Sequence, residues 1–405
     1  VSGITAMGTT FNLPNYTGQL FGLTPNATPF LSAIGGLTGG GMVTSTEFEW
    51  QTYDLRSPGQ NTKVEGATAP TAEGRARANV KNVVEIHQHK VSLSYTKQAA
   101  TQQLASPQSA PFNHPGGGTN PVGNELDWQV QRAIEQVALD VNWGFLNGTY
   151  LLPTDNTTAR RTRGLFQAIT TNRISKAGLT ITGLSSATDT ISETTTGVAN
   201  NDKIVFVRTG DATNIVAGRV YYVVSKATDS FKVATSQGGS AITLGTSTSN
   251  IDYVRPRTSA LTTTEIDDLI QMAYDNGGLQ NPETATILVN STQKRAITAA
   301  YADAYGKTVT ITEANRRVGG VAVDVIETDF GRLNIMLDRH VPSDAIAVVS
   351  LDQCRPVLLN TPGKGVFFEE PLAKTGASDD VQIYGEIGLA YGNEMAHALM
   401  RGLDV

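Results

Sequence analysis

Cysteine is almost missing from this chain. Cys354 stands alone, so no disulfide can form within one molecule. Proteins of this size are secreted with or without disulfides, so that fact bounds the compartment only loosely. Long apolar runs are missing as well: no stretch approaches the ~20 residues of a membrane-spanning helix, and no membrane partner is expected. The first residues, VSGITAMGTTFN, lack the basic-then-apolar order of a secretion signal. They open on Val1 rather than Met, which implies a non-ATG start or a removed leading segment. Charge is sparse and nearly balanced, with 31 basic against 37 acidic residues and a formal net charge of -6. That argues against a neutralising grip on nucleic acid, yet it permits a protein that merely encloses it.

Motifs for chemistry are equally scarce. No G-x-S-x-G elbow anchors a serine nucleophile. The GKT at Gly306 to Thr308 lacks the glycine that a phosphate loop needs five positions before its second glycine. Tyr301 stands there, and strand-like VTIT follows where a helix is needed. His87 and His89 share one strand face without an identifiable third metal ligand, and His114, His340 and His397 lie in unrelated contexts. Asp267 and Asp268 are adjacent on a helix and point apart. The sequence therefore offers no catalytic residue, cofactor site or metal site, and the chain is not expected to be an enzyme.

What is present is architecture. With 405 residues, 40% of them hydrophobic, 17% charged and 40 of them glycine, the chain suits an ordered, turn-rich protein of two or three domains. Residues 1–46 look like an extended arm. Its scattered large apolar side chains, Phe11, Phe21 and Phe30 among them, need something to pack on, in this chain or a neighbour. EFEWQTYDL then alternates as a strand with one buried face. A matching return run, NVVEIHQHKVSLSY, begins at Asn82, and its apolar phase switches around His87 to Lys90, as a bulge or a change of packing partner would require. The connection is long and polar. Arg56, Lys63, Arg75, Arg77 and Lys81 outnumber Glu65 and Glu73 by five to two, a net +3. It has no aromatic residue after Tyr53, so an acidic patch on another subunit suits it better than a nucleic acid.

The clearest helix is NELDWQVQRAIEQVALDVNWGFLNG. Its stripe is Leu126, Val130, Ile134, Val137, Val141 and Phe145; Asn124 can cap it and Asn147-Gly148 can end it. From 178 to 256 short strands dominate (DKIVFV, RVYYVVS, SFKVA, AITL, NIDYV), which indicates a small β-sandwich or barrel inserted into a mixed chain. Beyond it, Thr262 and Glu265 form a capping box before the stripe Ile266, Leu269, Ile270 and Ala273, which ends at Gly277. TATILV and DAIAVVSLD read as strands, with NSTQKRAITAAY as a capped helix between them. VAVDVIETDFGRLNIMLD reads as a hairpin turning at Asp329 to Gly331. VQIYGEIGLAY alternates, with Val381, Ile383, Ile387, Leu389 and Tyr391 on one face.

The order of these elements resembles the tailed-phage major capsid proteins of the HK97-like fold. The stretches ETDFGRLNIMLDRHVPSDAIAVVSLDQCRPVLL, EEPLAKTGASDDVQIYGEIGLAYGNEMAHALMRGL and TPNATPFLSAIGG look like one subfamily of them, known from domain-of-unknown-function families. The inserted stretch resembles a β module of phage structural proteins. The resemblance implies an α+β fold with an N-arm (1–46), an E-loop hairpin (47–98) and a peripheral domain (99–177) holding a spine helix at about 124–147. It further implies the inserted, surface-exposed β domain (178–256), an axial domain with core strands (257–352) and a C-terminal return (353–405).

The implied function is self-assembly into pentamers and hexamers of an icosahedral virion capsid, built in the host bacterial cytoplasm around double-stranded DNA without sequence-specific binding. Implied partners are further copies of the chain and separate scaffolding, portal and decoration proteins. Arg56, Lys63, Glu65, Arg75 and Arg77 are the candidate E-loop contacts between subunits, and Phe11, Phe21 and Phe30 the candidate N-arm contacts. Some members of the wider fold join a lysine to an asparagine, and Lys63 lies in the corresponding loop, although nothing specifies its asparagine. An encapsulin-like shell, another virion component and a secreted carbohydrate-binding or hydrolytic protein are the rival readings.

Overall fold

A computed structural model describes residues 23, 25–101, 125–175, 179–180, 184–185, 189–192, 198–209, 212, 214–244, 251–305, 324–373 and 376–405. Asn124, His114, the GKT at 306–308, Phe11 and Phe21 lie outside the described residues. The chain forms two compact units. The smaller takes the described residues of 1–27, 87–139 and 367–385; the larger takes those of 28–86, 140–366 and 386–405.

In the smaller unit the strand Phe367–Pro371 pairs antiparallel with Val381 to Gly385. Val381 and Ile383 face Val91, Val130 and Ala133 in one apolar cluster. Beside that cluster Asp380 accepts from Lys90 Nζ at 2.7 Å and from Ser92 Oγ at 2.5 Å. Those bonds, Lys90 first, hold its carboxyl below the usual range.

The larger unit is built on a six-stranded mixed sheet. In spatial order its strands are Val325–Thr328, Gly331–Leu337, Ala285–Val289, Ile346–Ser350, Ala398–Arg401 and Arg173–Ser175. The strands ATILV, IAVVS and ALMR are buried at every position, because each has a neighbour on both edges and is covered on both faces. Helix Thr263–Asp275 lays Ile266, Leu269, Ile270 and Ala273 on this core. Its capping box forms as the sequence predicts: Thr262 Oγ1 accepts the Glu265 N–H and the Glu265 carboxylate accepts the Thr262 N–H. Arg257 clamps the same carboxylate through two nitrogens, at 2.5 and 2.6 Å.

The long helix runs Glu125–Asn147. Five of the six stripe residues are buried or half-buried, but Ile134 is 44% exposed. Two successive four-residue steps each advance about 40° beyond a full turn, so Ile134 rotates off the stripe that Leu126 starts, and Ala133 takes its place. Just past the helix, position 148 admits nothing larger than glycine. A Cβ at Gly148 would lie 2.4 Å from the Gly144 carbonyl and 2.8 Å from that of Thr162.

Residues Leu179 to Val254 form a seven-stranded antiparallel sheet, in the order Leu179–Thr180, Asp252–Val254, Lys203–Arg208, Val220–Val224, Ser230–Ala234, Thr190–Ser192, Leu184–Ser185. Its core is its own. Phe206 packs edge-on to Tyr221 at 5.3 Å and Phe231 edge-on to Tyr253 at 5.8 Å, all four at most 1% exposed. Among the described residues the strands follow one hydrogen-bonded path. AITL is not a strand; it keeps one ladder-like bond, from the Ile242 N–H to the Val233 carbonyl.

Candidate functional site: a ribbon anchored only at its base

The segment from Glu47 to Val83 is a two-stranded ribbon. Glu47–Tyr53 pairs antiparallel with Arg77–Val83, from Glu47 opposite Val83 to Tyr53 opposite Arg77. The return strand therefore begins at Arg77, five residues before the sequence reading placed it. Its residues look like loop because most of them face water. Along one face runs a polar ladder: Lys81 to Glu47 at 2.7 Å, Asn79 Nδ2 to Glu49 at 2.9 Å, and Arg77 to Gln51 at 3.0 Å. The Glu47 carboxylate raises the Lys81 ammonium pKa above its ordinary value. The chain then breaks pairing at Val84, where Val83 and Val84 are consecutive and both fully buried. The phase switch falls there rather than at His87 to Lys90, and it leaves Ile86 50% exposed.

The base of the ribbon is clamped. Phe48 packs with Val84, Val357 and Ala390, and stacks on Trp50 at 5.9 Å. Trp50 meets Tyr391 edge-on at 4.9 Å and donates its indole N–H to the Gly392 carbonyl at 2.8 Å. Asn82, fully buried, donates to the Leu389 carbonyl at 2.7 Å and accepts the Arg163 N–H at 2.8 Å. Gly388 lets the ribbon come this close: a Cβ there would sit 2.6 Å from the Val83 carbonyl and 2.8 Å from the Phe48 ring.

Beyond Thr52 the clamp stops. Every residue from Tyr53 to Asn79 is exposed. Three apolar side chains stand out in this stretch: Tyr53 at 71%, Leu55 at 68% and Val64 at 80% exposure. Sequence reasoning passed over them because single apolar residues in a polar loop carry no periodicity. Of the predicted contact residues, Arg56 and Arg75 converge on Glu73, at 3.5 and 2.9 Å. Arg77 sits in the ladder, and Lys63 and Glu65 lie apart on the exposed tip. The predicted +3 also needs correction. Lys81 and Arg77 belong to the ribbon strands, and the tip from 54 to 76 holds three bases (Arg56, Lys63, Arg75) and three acids (Asp54, Glu65, Glu73), a net charge of zero. The exposed apolar residues, not a charge excess, distinguish it.

Phe30 is a second correction. It lies on a short helix, Pro29–Ile34, and is 0% exposed, sealed within its own chain together with Leu31 and Ile34. Its backbone N–H reaches Asp338 Oδ2 at 3.4 Å, and the Leu31 N–H donates to Asn142 Oδ1 at 2.9 Å. Asn142 in turn donates to Asp338 Oδ2 at 2.9 Å. Its ring is thus not free for a neighbouring copy.

Among the described residues no group of three or more His, Cys, Asp or Glu side chains could hold a metal ion. His397 is buried with both ring nitrogens engaged, by the Ser350 N–H and the Tyr391 carbonyl. Cys354 is buried too, and burial pushes its thiol pKa up, away from the reactive thiolate.

The architecture is that of an HK97-like capsid protein. The chain resembles the capsid subunit of Cyanophage A-1(L), with a TM-score of 0.53 at 9% identity over 98% of this chain and 99% of that one. It is also similar to the capsid of Myoviridae phage XM1 (TM-score 0.46, 11% identity, 97% of each chain). A further likeness is to the SrpI encapsulin of Synechococcus elongatus (TM-score 0.45, 10% identity, 99% and 95%). The fold assignment rests on the first of these. No curated protein sequence matches the chain. The model of the SU10 major capsid protein family matches residues 3–404, and the chain belongs to that family. It is a structural capsid protein, not an enzyme.

Proposed function

We propose that copies of this chain close into an icosahedral shell of pentamers and hexamers around phage double-stranded DNA, with each ribbon tip laid across the next copy. The observation that carries this reading is the contrast along one ribbon. Its base is fixed by Phe48, Trp50 and Asn82, while everything from Tyr53 to Asn79 is exposed, including Tyr53, Leu55 and Val64. Isolated two-stranded ribbons are marginal in water, so this one gains by lying on a surface. A surface on an identical copy gives a head-to-tail contact, the kind that closes rings. Many such modest contacts add up across a shell. The formal charge of -6 suits a container that holds DNA without gripping it. Assembly in the host cytoplasm, with separate scaffolding and portal proteins, belongs to the same reading.

The test replaces residues 56–75 by a short Gly-Ser turn. Electron microscopy should show uniform particles from the parent chain. The shortened chain should give folded subunits that do not close. Intact particles from the shortened chain would refute the reading. Nucleic acid inside particles purified from an infection separates a virion from a protein-cargo compartment.

A further inference from the structure

The short helix Pro29–Ile34 has no cap of its own. The Thr28 side chain makes no capping bond, and Pro29 has no N–H to offer. The next two donors are met from outside the helix. The Phe30 N–H reaches Asp338 Oδ2 and the Leu31 N–H donates to Asn142 Oδ1, and both acceptor side chains are buried. His340 completes this clasp. Its Nδ1 lies 2.8 Å from Asn142 Nδ2 and 3.5 Å from Asp338 Oδ1.

The hydrogen positions in this cluster follow from its partners. Asn142 has one workable orientation. With its amide reversed, Nδ2 would meet the Leu31 N–H, donor against donor, and Oδ1 would meet Asp338 Oδ2, acceptor against acceptor. Nδ2 therefore gives one hydrogen to Asp338 Oδ2 at 2.9 Å and the other to His340 Nδ1. That nitrogen must carry a lone pair, so the ring is neutral with its hydrogen on Nε2. A proton on Nδ1 would set two hydrogens face to face across 2.8 Å. The carboxylate beside the ring is Asp338, on the same loop; Arg339, between them in sequence, is exposed. The helix Pro29–Ile34 brings no titratable side chain, and Asp140, two positions before Asn142 on the long helix, projects about 160° away from it. Asn147 and Asn290, both neutral, hold the loop at the His340 and Val341 carbonyls.

We propose that His340 is a proton-operated latch on the helix Pro29–Ile34. Neutral, it completes the clasp by accepting from Asn142. Protonated at Nδ1, the ring turns its new N–H toward Asp338 Oδ1 and repels the Asn142 amide, which shifts and gives up its hold on the Leu31 N–H. The His340 side chain is 24% exposed, so protons reach it from solvent. Histidine is also the side chain that ordinarily changes charge between pH 5 and 8. Mild acid thus loosens one helix and leaves the sheet core in place. The latch lies within a single subunit and holds whether or not copies of the chain close into a shell.

Hydrogen exchange of the full-length subunit tests this, read on a peptide covering 29–36 at pH 7.5 and 5.5, in the parent and in His340→Gln. Comparing the two proteins at each pH cancels the intrinsic pH dependence of exchange and the effects of other titrating groups. The glutamine has an oxygen that can accept from Asn142 but takes up no proton. Between the two pH values the parent should lose about tenfold more protection than the variant, the consequence of one buried donor left unmet. Equal losses overturn the latch, and His340→Asn supplies the same comparison if the glutamine folds poorly. Nitrogen NMR of the histidine-labelled parent protein reads the tautomer directly, the His340 signal being the one missing from either variant. A hydrogen on Nε2 at pH 7.5 supports the latch, and a hydrogen on Nδ1 overturns it.

Discussion

The larger unit contains two β-rich regions that solve the same problem differently. The sheet of residues 179–254 has seven strands and closes a core of Phe206, Tyr221, Phe231 and Tyr253, so its hydrophobic requirements are met within itself. The ribbon has two strands and places only its base, Phe48, Trp50, Asn82 and Val83, against the rest of its chain. Past them its backbone pairs but its faces do not. Strand pairing alone therefore does not tell whether a β region is finished; the second layer does.

The largest expected effect tests the self-sufficient region. Phe231→Ala removes a wholly buried ring and should cost about 3–5 kcal/mol. Limited proteolysis should then cut within 179–254 while shells still form. Loss of all folded protein would show that this sheet is not energetically separable.

Next comes the ribbon base. Gly388→Ala pushes a methyl group into the Val83 carbonyl and the Phe48 ring and should cost about 1–3 kcal/mol. Trp50 fluorescence reports it, because that indole leaves Tyr391 when the base shifts. An unchanged denaturation midpoint would mean that the base tolerates slack and the contrast with the tip is overstated.

A smaller effect depends on pH. Burial lowers the His397 pKa and outweighs the hydrogen bond to the Tyr391 carbonyl, which raises it; the neutral ring accepts the Ser350 N–H. The unfolded chain protonates this residue near pH ~6.5, whereas the folded chain resists it. Stability from His397 is thus complete above that pH and declines as pH falls through it, by up to about 1.4 kcal/mol per unit. Urea midpoints of dissociated subunits at pH 7.5 and 5.5 should differ, and a flat profile would contradict the assignment of a neutral ring.

Least affected in stability should be the tip. Leu55→Ser with Val64→Ser should change subunit stability by less than about 0.5 kcal/mol, since both side chains are already in water. The same pair should slow particle formation measured by light scattering. Unimpaired assembly would move the contact elsewhere on the ribbon.

Much of this was legible in the residues. The Thr262 capping box, the Val381 to Tyr391 alternation and the long helix each carry a local signal strong enough to survive any context. Other elements have no such signal. ALMR favours a helix by propensity, yet Ala398–Arg401 is a strand because strands flank it on both sides. Arg77–Val83 reads as loop, since only its partner strand makes it a strand. Within the stretch that reads as an extended arm, Pro29 sits at the first turn of the short helix that buries Phe30. The candidate site was legible as a long polar connection. Its exposed Tyr53, Leu55 and Val64 were not, because solvent exposure is a property of the fold.

The pairing of Arg173–Ser175 with Ala398–Arg401 has a consequence for how the protein is made. These strands are 226 positions apart, from Arg173 to Leu399, and the strand that joins them to the rest of the sheet is itself Ala398–Arg401. Translation at about 5–20 residues per second keeps them apart for many seconds. Until the ribosome has released the later strand, the earlier one has nowhere to dock. A chain broken off midway would lack a finished sheet, and biosynthesis itself thereby screens which molecules can become building blocks.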